Sequence, residues 1–375
     1  MTHPITYLHH LEATGGGTLR YIEYLFQAPS PEVGFLLFDR GEADLSRLAH
    51  HPNVRVLKAP RHIIPRAVVV LWETIRAIRR LRPTHVHAHS SISGFVVRLL
   101  KPLFGFTCIY TPHCYSFTYP ARFGLGVLYR VVERALAAAT DLALHVSLAD
   151  YMVGKQLSVR PRAMVIRSPY DWTKPRVDPR ATFESSTVLL VGGNRRQKGY
   201  GVLEEIAQGV RGCGLRLRVV GCDRFSDAVD CMPWQEDLSE CYASSFCMLN
   251  VSYSEGLSLS MIDALYVGVP VVAFDIPANR EILDGGCGVL IEQRSVGDLV
   301  SALTGLKQSF ERYHMLHANG QRRAEREFGP KRFFQAYARH YERCGVTQVA
   351  IPGRGAGTFV ACPMNHETIV LAQRR

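Results

Sequence analysis

Four short segments of the chain carry residue types that suit the binding of a phosphorylated ligand. The first is a glycine-rich turn, residues 14–18, which contains Gly16 and Gly17 and lies between a predicted strand and a predicted helix. Glycines let backbone N–H groups approach a ligand closely, and a helix N-terminus favours an anion. The turn lacks a Walker lysine and the GxGxxG spacing, so neither ATP hydrolysis nor dinucleotide binding is predicted. A plain tight turn is the alternative interpretation.

The second segment, residues 111–117, contains His113 and directly follows a predicted strand. Ligands of open α/β sheets bind beyond the carboxyl ends of the strands. A histidine there can donate to a sugar hydroxyl or a phosphate, or stabilise developing charge. A purely structural histidine is the alternative. His87 and His89, after the preceding strand, are less specific signals.

The third segment, residues 191–199, places Arg195, Arg196 and Lys198 among glycines between a strand and a helix. Arginine binds phosphate through two parallel hydrogen bonds, and lysine acts as a compact point charge. The segment therefore predicts a diphosphate site, with a basic surface loop as the alternative.

The fourth segment, residues 252–265, is the most specific: a strand ends in an acidic glycine turn and a helix begins. Glu255 opens the turn, and Asp263 lies about two helical turns further on, facing the same side. The backbone N–H groups at the start of this helix would point at an anion. The residues that carry those groups are Gly256, Leu257, Ser258 and Leu259.

The elements that position these segments alternate between short apolar runs and helical patterns. This order predicts parallel sheets with right-handed crossovers. Predicted helices include residues 18–26, 67–81, 128–139, 202–210 and 330–343. Predicted strands are residues 5–9, 33–38, 54–57, 85–88, 108–111, 142–146, 188–191, 215–220, 246–251, 271–274 and 288–291.

The alternation of strand and helix patterns is interrupted once, by a proline-containing segment that has no apolar periodicity. We therefore expect two α/β domains joined by a linker, then a helix that packs back on the first domain, and an irregular Gly-rich tail. The predicted ranges are 1–167 for the first domain, 168–186 for the linker, 187–330 for the second domain, 331–344 for the helix and 345–375 for the tail.

The chain of 375 residues has a formal net charge of +11, concentrated in its first half. Residues 1–175 contain 21 lysines and arginines against 11 aspartates and glutamates, whereas the rest contains 23 and 22. An anionic partner is expected for the first half, with a basic solvated surface as the alternative. No recognition helix or RNA-binding motif accompanies the charge, so nucleic acid is not an expected partner.

The cellular location is predicted from sequence features that are missing. Ten cysteines occur without a CxxC pair, which is typical of reduced thiols in a cytosol. There is no signal-peptide pattern, and no apolar run reaches the about 18 residues of a membrane span. We expect a cytoplasmic protein that associates peripherally with the inner face of the cytoplasmic membrane.

The third and fourth segments together resemble the donor-binding domain of the family 4 retaining glycosyltransferases. That family carries an Arg and a Lys-Gly before a helix, then Ser-Glu-Gly-Phe-Gly, a second Glu, and Gly-Val-Pro-Val-Val-Ala. Here the matching elements are Lys198-Gly199, residues 254–258, Asp263 and residues 268–273. The glycine-rich turn and the Thr-Pro-His element resemble the family's first domain, as do Glu133, Asp141 and Ser147.

The resemblance implies the α/β GT-B fold, two Rossmann-like parallel-sheet domains with a cleft between them, and transfer of a sugar from a UDP- or GDP-sugar. It implies that Lys198 and an arginine bind the diphosphate, that Glu255 contacts the donor sugar and that Asp263 holds the ribose. His113 would lie near the transferred sugar, and Gly16 and Gly17 near the phosphates. No cofactor and no metal are implied, and there is no Asp-x-Asp pair.

Two departures from the family pattern affect individual residues. The second glutamate of the family is Asp263 here, which is shorter by one methylene, and the expected arginine falls on Gly193. Arg195 or Arg196 can substitute, and the sequence does not choose between them. A non-catalytic nucleotide-sugar-binding protein and a nucleotide-sugar epimerase on the same fold remain alternatives.

The basic first domain is expected to meet the acceptor, a saccharide that in such family members is often lipid-linked and used in polysaccharide or lipopolysaccharide assembly. Residues 66–82 combine an apolar stripe, Trp72 and an arginine-rich face. Such a helix can lie on an anionic membrane surface. The alternative is a crossover helix that packs on the sheet with a basic outer face.

Overall fold

The computed structural model describes residues 4–41, 45, 48, 50–51, 53–118, 125–158, 161–347, 349, 351–352 and 359–360. The chain divides into two compact units. The first comprises residues 1–116, 127–166 and 333–375, and the second comprises residues 117–126 and 167–332. Most of the tail predicted from residue 345 lies outside the described residues.

The first unit is built on a parallel sheet of seven strands in the order β3-β2-β1-β4-β5-β6-β7. Strand β2 is buried along almost its whole length, as is typical of a parallel sheet covered on both faces. The strands are β1 (Tyr7–Leu11), β2 (Val33–Asp39), β3 (Val54–Lys58), β4 (His85–His89), β5 (Thr107–Thr111), β6 (Leu142–His145) and β7 (Arg162–Val165). The helices that accompany them are α1 (Gly16–Phe26), α2 (Ile63–Leu81), α3 (Ser91–Phe104), α4 (Leu125–Leu136) and α5 (Leu148–Leu157).

The second unit is built on a parallel sheet of six strands in the order β10-β9-β8-β11-β12-β13. They are β8 (Thr187–Val191), β9 (Arg216–Val220), β10 (Asp230–Met232), β11 (Cys247–Asn250), β12 (Val271–Phe274) and β13 (Val289–Ile291). The helices are α6 (Pro179–Glu184), α7 (Leu203–Arg211), α8 (Ser239–Ala243), α9 (Leu259–Val267), α10 (Pro277–Leu283), α11 (Val296–Lys307) and α12 (Phe310–Glu327).

The core of the second unit shows the period of two that a strand imposes on its side chains. Val188 and Leu190 of β8 pack in one apolar cluster with α7 and α11, whereas Leu189 between them packs in another with α9 and α10. The sheet is therefore buried on both faces, and its loops at the carboxyl ends of the strands carry the polar residues.

The last long helix, α13 (Pro330–Arg343), packs on the first unit through an aromatic face. Phe333, Tyr337 and Tyr341 recur every four residues and are all buried. The Tyr337 hydroxyl lies 2.8 Å from that of Tyr21 in α1. Two short antiparallel strands, β14 (Ile351–Pro352) and β15 (Phe359–Val360), follow α13. None of the described helices is long and apolar enough to cross a bilayer.

Candidate functional site

The loop after β8 is shaped by a glycine that no other residue can replace without strain. Gly199 has a φ of +76°, and a Cβ added to it would lie 2.1 Å from the carbonyl oxygen of Val251. That contact is far inside van der Waals distance, so the loop is pressed against the segment that follows β11. Lys198, one residue earlier, is thereby placed beside that segment.

Lys198 and Glu255 form a close ion pair, with 2.6 Å between Nζ and Oε1. The same carboxylate oxygen accepts a hydrogen bond of 2.8 Å from the Ser252 hydroxyl. Strands β8 and β11 are adjacent and parallel, so their following loops leave the same edge of the sheet. The structure thus brings together the two side chains that the sequence analysis singled out in separate motifs.

Two further hydrogen bonds tie the loops together. The Gln197 side chain donates to the carbonyl of Ser254 at 2.6 Å, and the backbone N–H of Tyr253 donates to the carbonyl of Gln197 at 2.8 Å. The Glu255 side chain is only 7% exposed and that of Lys198 is 26% exposed. The pair is therefore held in place and reachable from one side.

The N-terminus of α9 lies directly after this pair. Gly256 and Leu257 lead into Ser258, the N-cap residue, and Leu259 is the first helical residue. The Ser258 hydroxyl does not cap the helix but accepts a hydrogen bond from Asn250 at 3.2 Å. Across the described part of the chain, the backbone N–H groups of residues 256–259 have no hydrogen-bond partner. Such a helix end favours an anionic ligand.

Arg195 and Arg196 lie on the exposed side of the same loop. Arg196 begins a short 3-10 turn that ends at Lys198, and Arg195 precedes it. Neither guanidinium makes a hydrogen bond or an ion pair with a described residue. Both are available to an anion, and the choice between them stays open.

Asp263, in contrast, is buried and has a partner in the protein. One carboxylate oxygen, Oδ1, accepts a hydrogen bond of 2.7 Å from the backbone N–H of Asp171. The side chain thereby fastens the segment that enters the second unit to α9. The contact with a ribose that the family resemblance implies stays a prediction.

In the first unit, Gly16 and Gly17 are the first two residues of α1. Gly16 has a φ of +60°, and a Cβ there would meet no atom within 4 Å. The glycine is therefore explained by backbone conformation and leaves open space at the start of the helix. The buried Thr14 hydroxyl fixes the turn by donating to the carbonyl of Phe38 at 3.2 Å.

His113 follows β5 in an unusual backbone conformation, with a φ of +59°. Its Nε2 lies 3.0 Å from Nδ1 of His89, and its ring packs edge-on against Tyr21. Burial lowers the pKa of His113 to about 3. At neutral pH the ring is therefore uncharged, and it acts as a hydrogen-bonding group rather than as a cation.

The environment of His113 is not predicted by its own motif. His9 on β1 and His89 on β4 lie in the buried sheet next to His87, and one nitrogen of each ring lies within 4.8 Å of the others. Both nitrogens of His87 are already hydrogen-bonded, to Tyr7 at 2.9 Å and to Thr111 at 2.8 Å. The sequence feature that indicates this cluster is the alternation of histidines along β4, which places them on one face of the strand.

Three residues that resemble the first domain of the family have structural partners here. Glu133 pairs with the buried Arg98 at 2.8 Å. Asp141 accepts from Lys101 at 2.6 Å, and the hydroxyl of Ser147 caps α5. These side chains hold the first unit together.

Two family profiles match the chain, one on each unit. The profile described as "Glycosyl transferase 4-like domain" matches residues 29–169, and the one described as "Glycosyl transferases group 1" matches residues 185–309. The chain belongs to the family 4 glycosyltransferases. The two parallel sheets of this glycosyltransferase are the Rossmann-like halves of the GT-B fold, as the sequence predicted.

Individual relatives agree with this assignment. The glycosyltransferase is 24% identical over 277 residues to an uncharacterized 41.2 kDa protein in the cps region of Klebsiella pneumoniae, which covers 66% of this chain and 74% of the relative. Sucrose-phosphate synthase from Thermosynechococcus elongatus has a TM-score of 0.75 at 17% identity, covering 90% of this chain and 98% of that one. HepE from Anabaena, solved with UDP-glucose, has a TM-score of 0.73 at 15% identity, covering 90% and 99%.

Proposed function

We propose that this chain is a retaining glycosyltransferase that moves a sugar from a nucleoside diphosphate sugar to an acceptor hydroxyl. The observation that carries the proposal is the Lys198–Glu255 pair beside the unpaired N-terminus of α9. A cation and free N–H groups suit a diphosphate, and a carboxylate suits the hydroxyls of a sugar. The crystal structures of HepE with UDP and with UDP-glucose support a uridine nucleotide, with a GDP-sugar as the alternative donor.

In this mechanism the bond between the anomeric carbon and the diphosphate breaks, and negative charge grows on the departing phosphate. Lys198, the N-terminus of α9 and either Arg195 or Arg196 stabilise that charge. The acceptor hydroxyl attacks from the same face, and its proton passes to the leaving phosphate. No side-chain carboxylate is then required as a general base, and the proposed transfer reaction uses no metal ion.

The remaining predicted residues take supporting roles in the same proposal. His113 donates a hydrogen bond to the transferred sugar as a neutral imidazole, since burial keeps its pKa at about 3. Gly16 and Gly17 offer backbone N–H groups to the phosphates. Asp263 contacts the ribose in addition to its bond with Asp171.

The acceptor is a lipid-linked saccharide used in cell-surface polysaccharide or lipopolysaccharide synthesis. The relative in the cps region supports this class of product. Helix α2 supports a membrane surface as its location, since Ile64, Val68 and Trp72 recur every four residues and are 76%, 62% and 55% exposed. Arg79 and Arg80 are exposed at the end of the same helix. An apolar stripe beside cations is typical of a helix that lies on an anionic bilayer.

The test is a transfer assay with Lys198→Ala and Glu255→Ala. Each variant is expected to lower turnover by roughly tenfold or more, because each removes a group that acts on charge or position in the transition state. The matched control is Lys331→Ala, which removes an exposed lysine from the start of α13 and should turn over normally. NMR of the product is expected to show the anomeric configuration of the donor.

Near-normal turnover of both variants would contradict the proposed site. A product with the opposite anomeric configuration would contradict retention. Donor binding by the unaltered protein without transfer to any acceptor extract would favour a non-catalytic binding protein, and conversion of the donor without an acceptor would favour an epimerase.

A further inference from the structure

A continuous chain of hydrogen bonds connects His113 to the C-terminal helix of the same unit. His113 Nε2 lies 3.0 Å from His89 Nδ1, and His89 Nε2 lies 2.9 Å from His9 Nδ1. His9 Nε2 in turn lies 2.7 Å from the hydroxyl of Tyr341 on α13. His9, His89 and Tyr341 are all buried.

Each of the three imidazoles in this series of hydrogen bonds carries one N–H proton at neutral pH. Burial lowers the pKa of His113 to about 3 and lowers the pKa values of His9 and His89 well below their usual range. A neutral imidazole has one N–H donor and one acceptor nitrogen, so every bond in the chain must point the same way. The group at the end of the chain therefore decides where the proton of His113 resides.

The series of hydrogen bonds that begins at His113 ends at the Tyr341 hydroxyl. It has no other hydrogen-bond partner among the residues that the structure describes. If it accepted from His9, its own proton would be buried without an acceptor, which costs about 1–3 kcal/mol. Tyr341 therefore donates to His9 Nε2, His9 donates from Nδ1 to His89 Nε2, and His89 donates from Nδ1 to His113 Nε2.

This direction places the proton of His113 on Nδ1. Within the described part of the molecule, Nδ1 has no hydrogen-bond partner, and it is not one of the buried polar atoms that lack one. His113 itself is half-buried. The ring therefore presents an N–H donor toward the solvent beyond the carboxyl end of β5.

We propose that Tyr341, acting through His9 and His89, is a positioning residue that holds His113 as the neutral Nδ1–H tautomer, ready to donate to an oxygen of the substrate. The inference rests on the proposed function for the identity of that substrate. The oxygen is that of a sugar hydroxyl or of a phosphate, since both accept a hydrogen bond from a neutral imidazole. The opposite tautomer would present a bare acceptor nitrogen at the same place and would lose this bond with a phosphate.

The direct test is Tyr341→Phe in the full chain, read by the side-chain ¹⁵N shifts of histidine. Phenylalanine keeps the ring and removes only the hydroxyl that sets the direction of the chain. The unaltered protein is expected to show His113 as the Nδ1–H tautomer, and the variant is expected to show a substantial population of the Nε2–H tautomer. The His113 signal is assigned by its absence in His113→Gln.

The matched control is Tyr337→Phe. Tyr337 lies one turn earlier on α13, is equally buried and bonds through its hydroxyl to Tyr21, outside the chain of histidines. This variant is expected to leave the His113 tautomer unchanged. An unchanged tautomer in Tyr341→Phe, or an equal change in both variants, would overturn the proposal.

A kinetic measurement separates this inference from the proposed function. Tyr341→Phe is expected to lower kcat by about tenfold, as a misplaced proton on a substrate-contacting histidine does. An unchanged dissociation constant for UDP or GDP would identify the accepting oxygen as that of the sugar, and a raised one would identify it as that of a phosphate. Tyr337→Phe should retain kcat. If the unaltered protein transfers no sugar, the proposed function fails while the tautomer result still stands. If the tautomer changes and kcat does not, the role in transfer is contradicted.

Discussion

At the scale of single residues, Lys198 and Glu255 show what the sequence can and cannot give. The residue types in the first loop predicted a cation for a diphosphate, and the family resemblance implied an acid for the donor sugar in the second. The 2.6 Å bond between them depends on the adjacency of β8 and β11, which are separated by other strands in the chain. The sequence therefore singled out the two side chains, and the sheet order determined that they pair.

Gly199 offers a prediction about how that pairing is maintained. Gly199→Ala is expected to destabilise the second unit by about 2–3 kcal/mol, because alanine must adopt a left-handed φ and its Cβ would meet the Val251 carbonyl. Urea unfolding monitored on the second unit measures the change. Gly201→Ala is the control, since a Cβ there meets nothing within 4 Å and φ is ordinary. Equal stability of the two variants would mean that the loop does not need this close approach.

The histidine chain marks the limit of prediction from sequence. His113 was singled out by its position after a strand, and His89 was a less specific signal after the preceding strand. Tyr341 lies 332 residues from His9, and no local pattern indicates that their side chains meet. The contact depends on α13 packing on β1, a tertiary arrangement that periodicity alone does not specify.

At the scale of elements, most strands were predicted to within one or two residues because they are short apolar runs between helical patterns. Two edge strands, β7 and β10, were not predicted, since their sequences are partly exposed and carry charged residues. Helix α6 was also not predicted within its proline-containing segment. Asp178 caps it and Pro179 is its first residue, a signature of helix starts that the apolar pattern alone does not show.

Helix α2 combines both interpretations that the sequence left open. One face, including Val70, Ala77 and Ile78, is buried, as in a crossover helix. The opposite face is not simply basic, because Val68 and Trp72 are exposed there beside arginines. An exposed apolar stripe on a helix that also packs on its unit indicates a surface for a partner.

We expect Trp72→Ser to weaken binding to vesicles that contain anionic phosphatidylglycerol by several-fold, because the variant removes the largest apolar group of the stripe. Co-sedimentation measures the bound fraction. The control is Trp234→Ser, which removes a tryptophan of nearly equal exposure, 53% against 55%, from the second unit. Vesicle binding that does not depend on lipid charge or salt concentration, or an equal loss of binding in both variants, would argue against a membrane role for α2.

At the scale of the whole molecule, the two units differ in charge and in the kind of residue that each presents. The basic first half carries the exposed stripe of α2 and the histidines that connect His113 to α13. The electrically balanced second half carries the Lys198–Glu255 pair and the open end of α9. This division matches a protein in which one unit binds the donor and the other meets an anionic acceptor surface.

The measurement that tests the central claim most directly is a thermal-shift titration with UDP-, GDP-, ADP- and dTDP-sugars. A ligand that binds only the folded state adds about 2.7 kcal/mol of stability at a hundred times its dissociation constant. We predict a shift with one nucleotide class that is lost in Lys198→Ala and kept in Lys331→Ala. No shift with any of the four donors, or an undiminished shift in Lys198→Ala, would contradict the donor site.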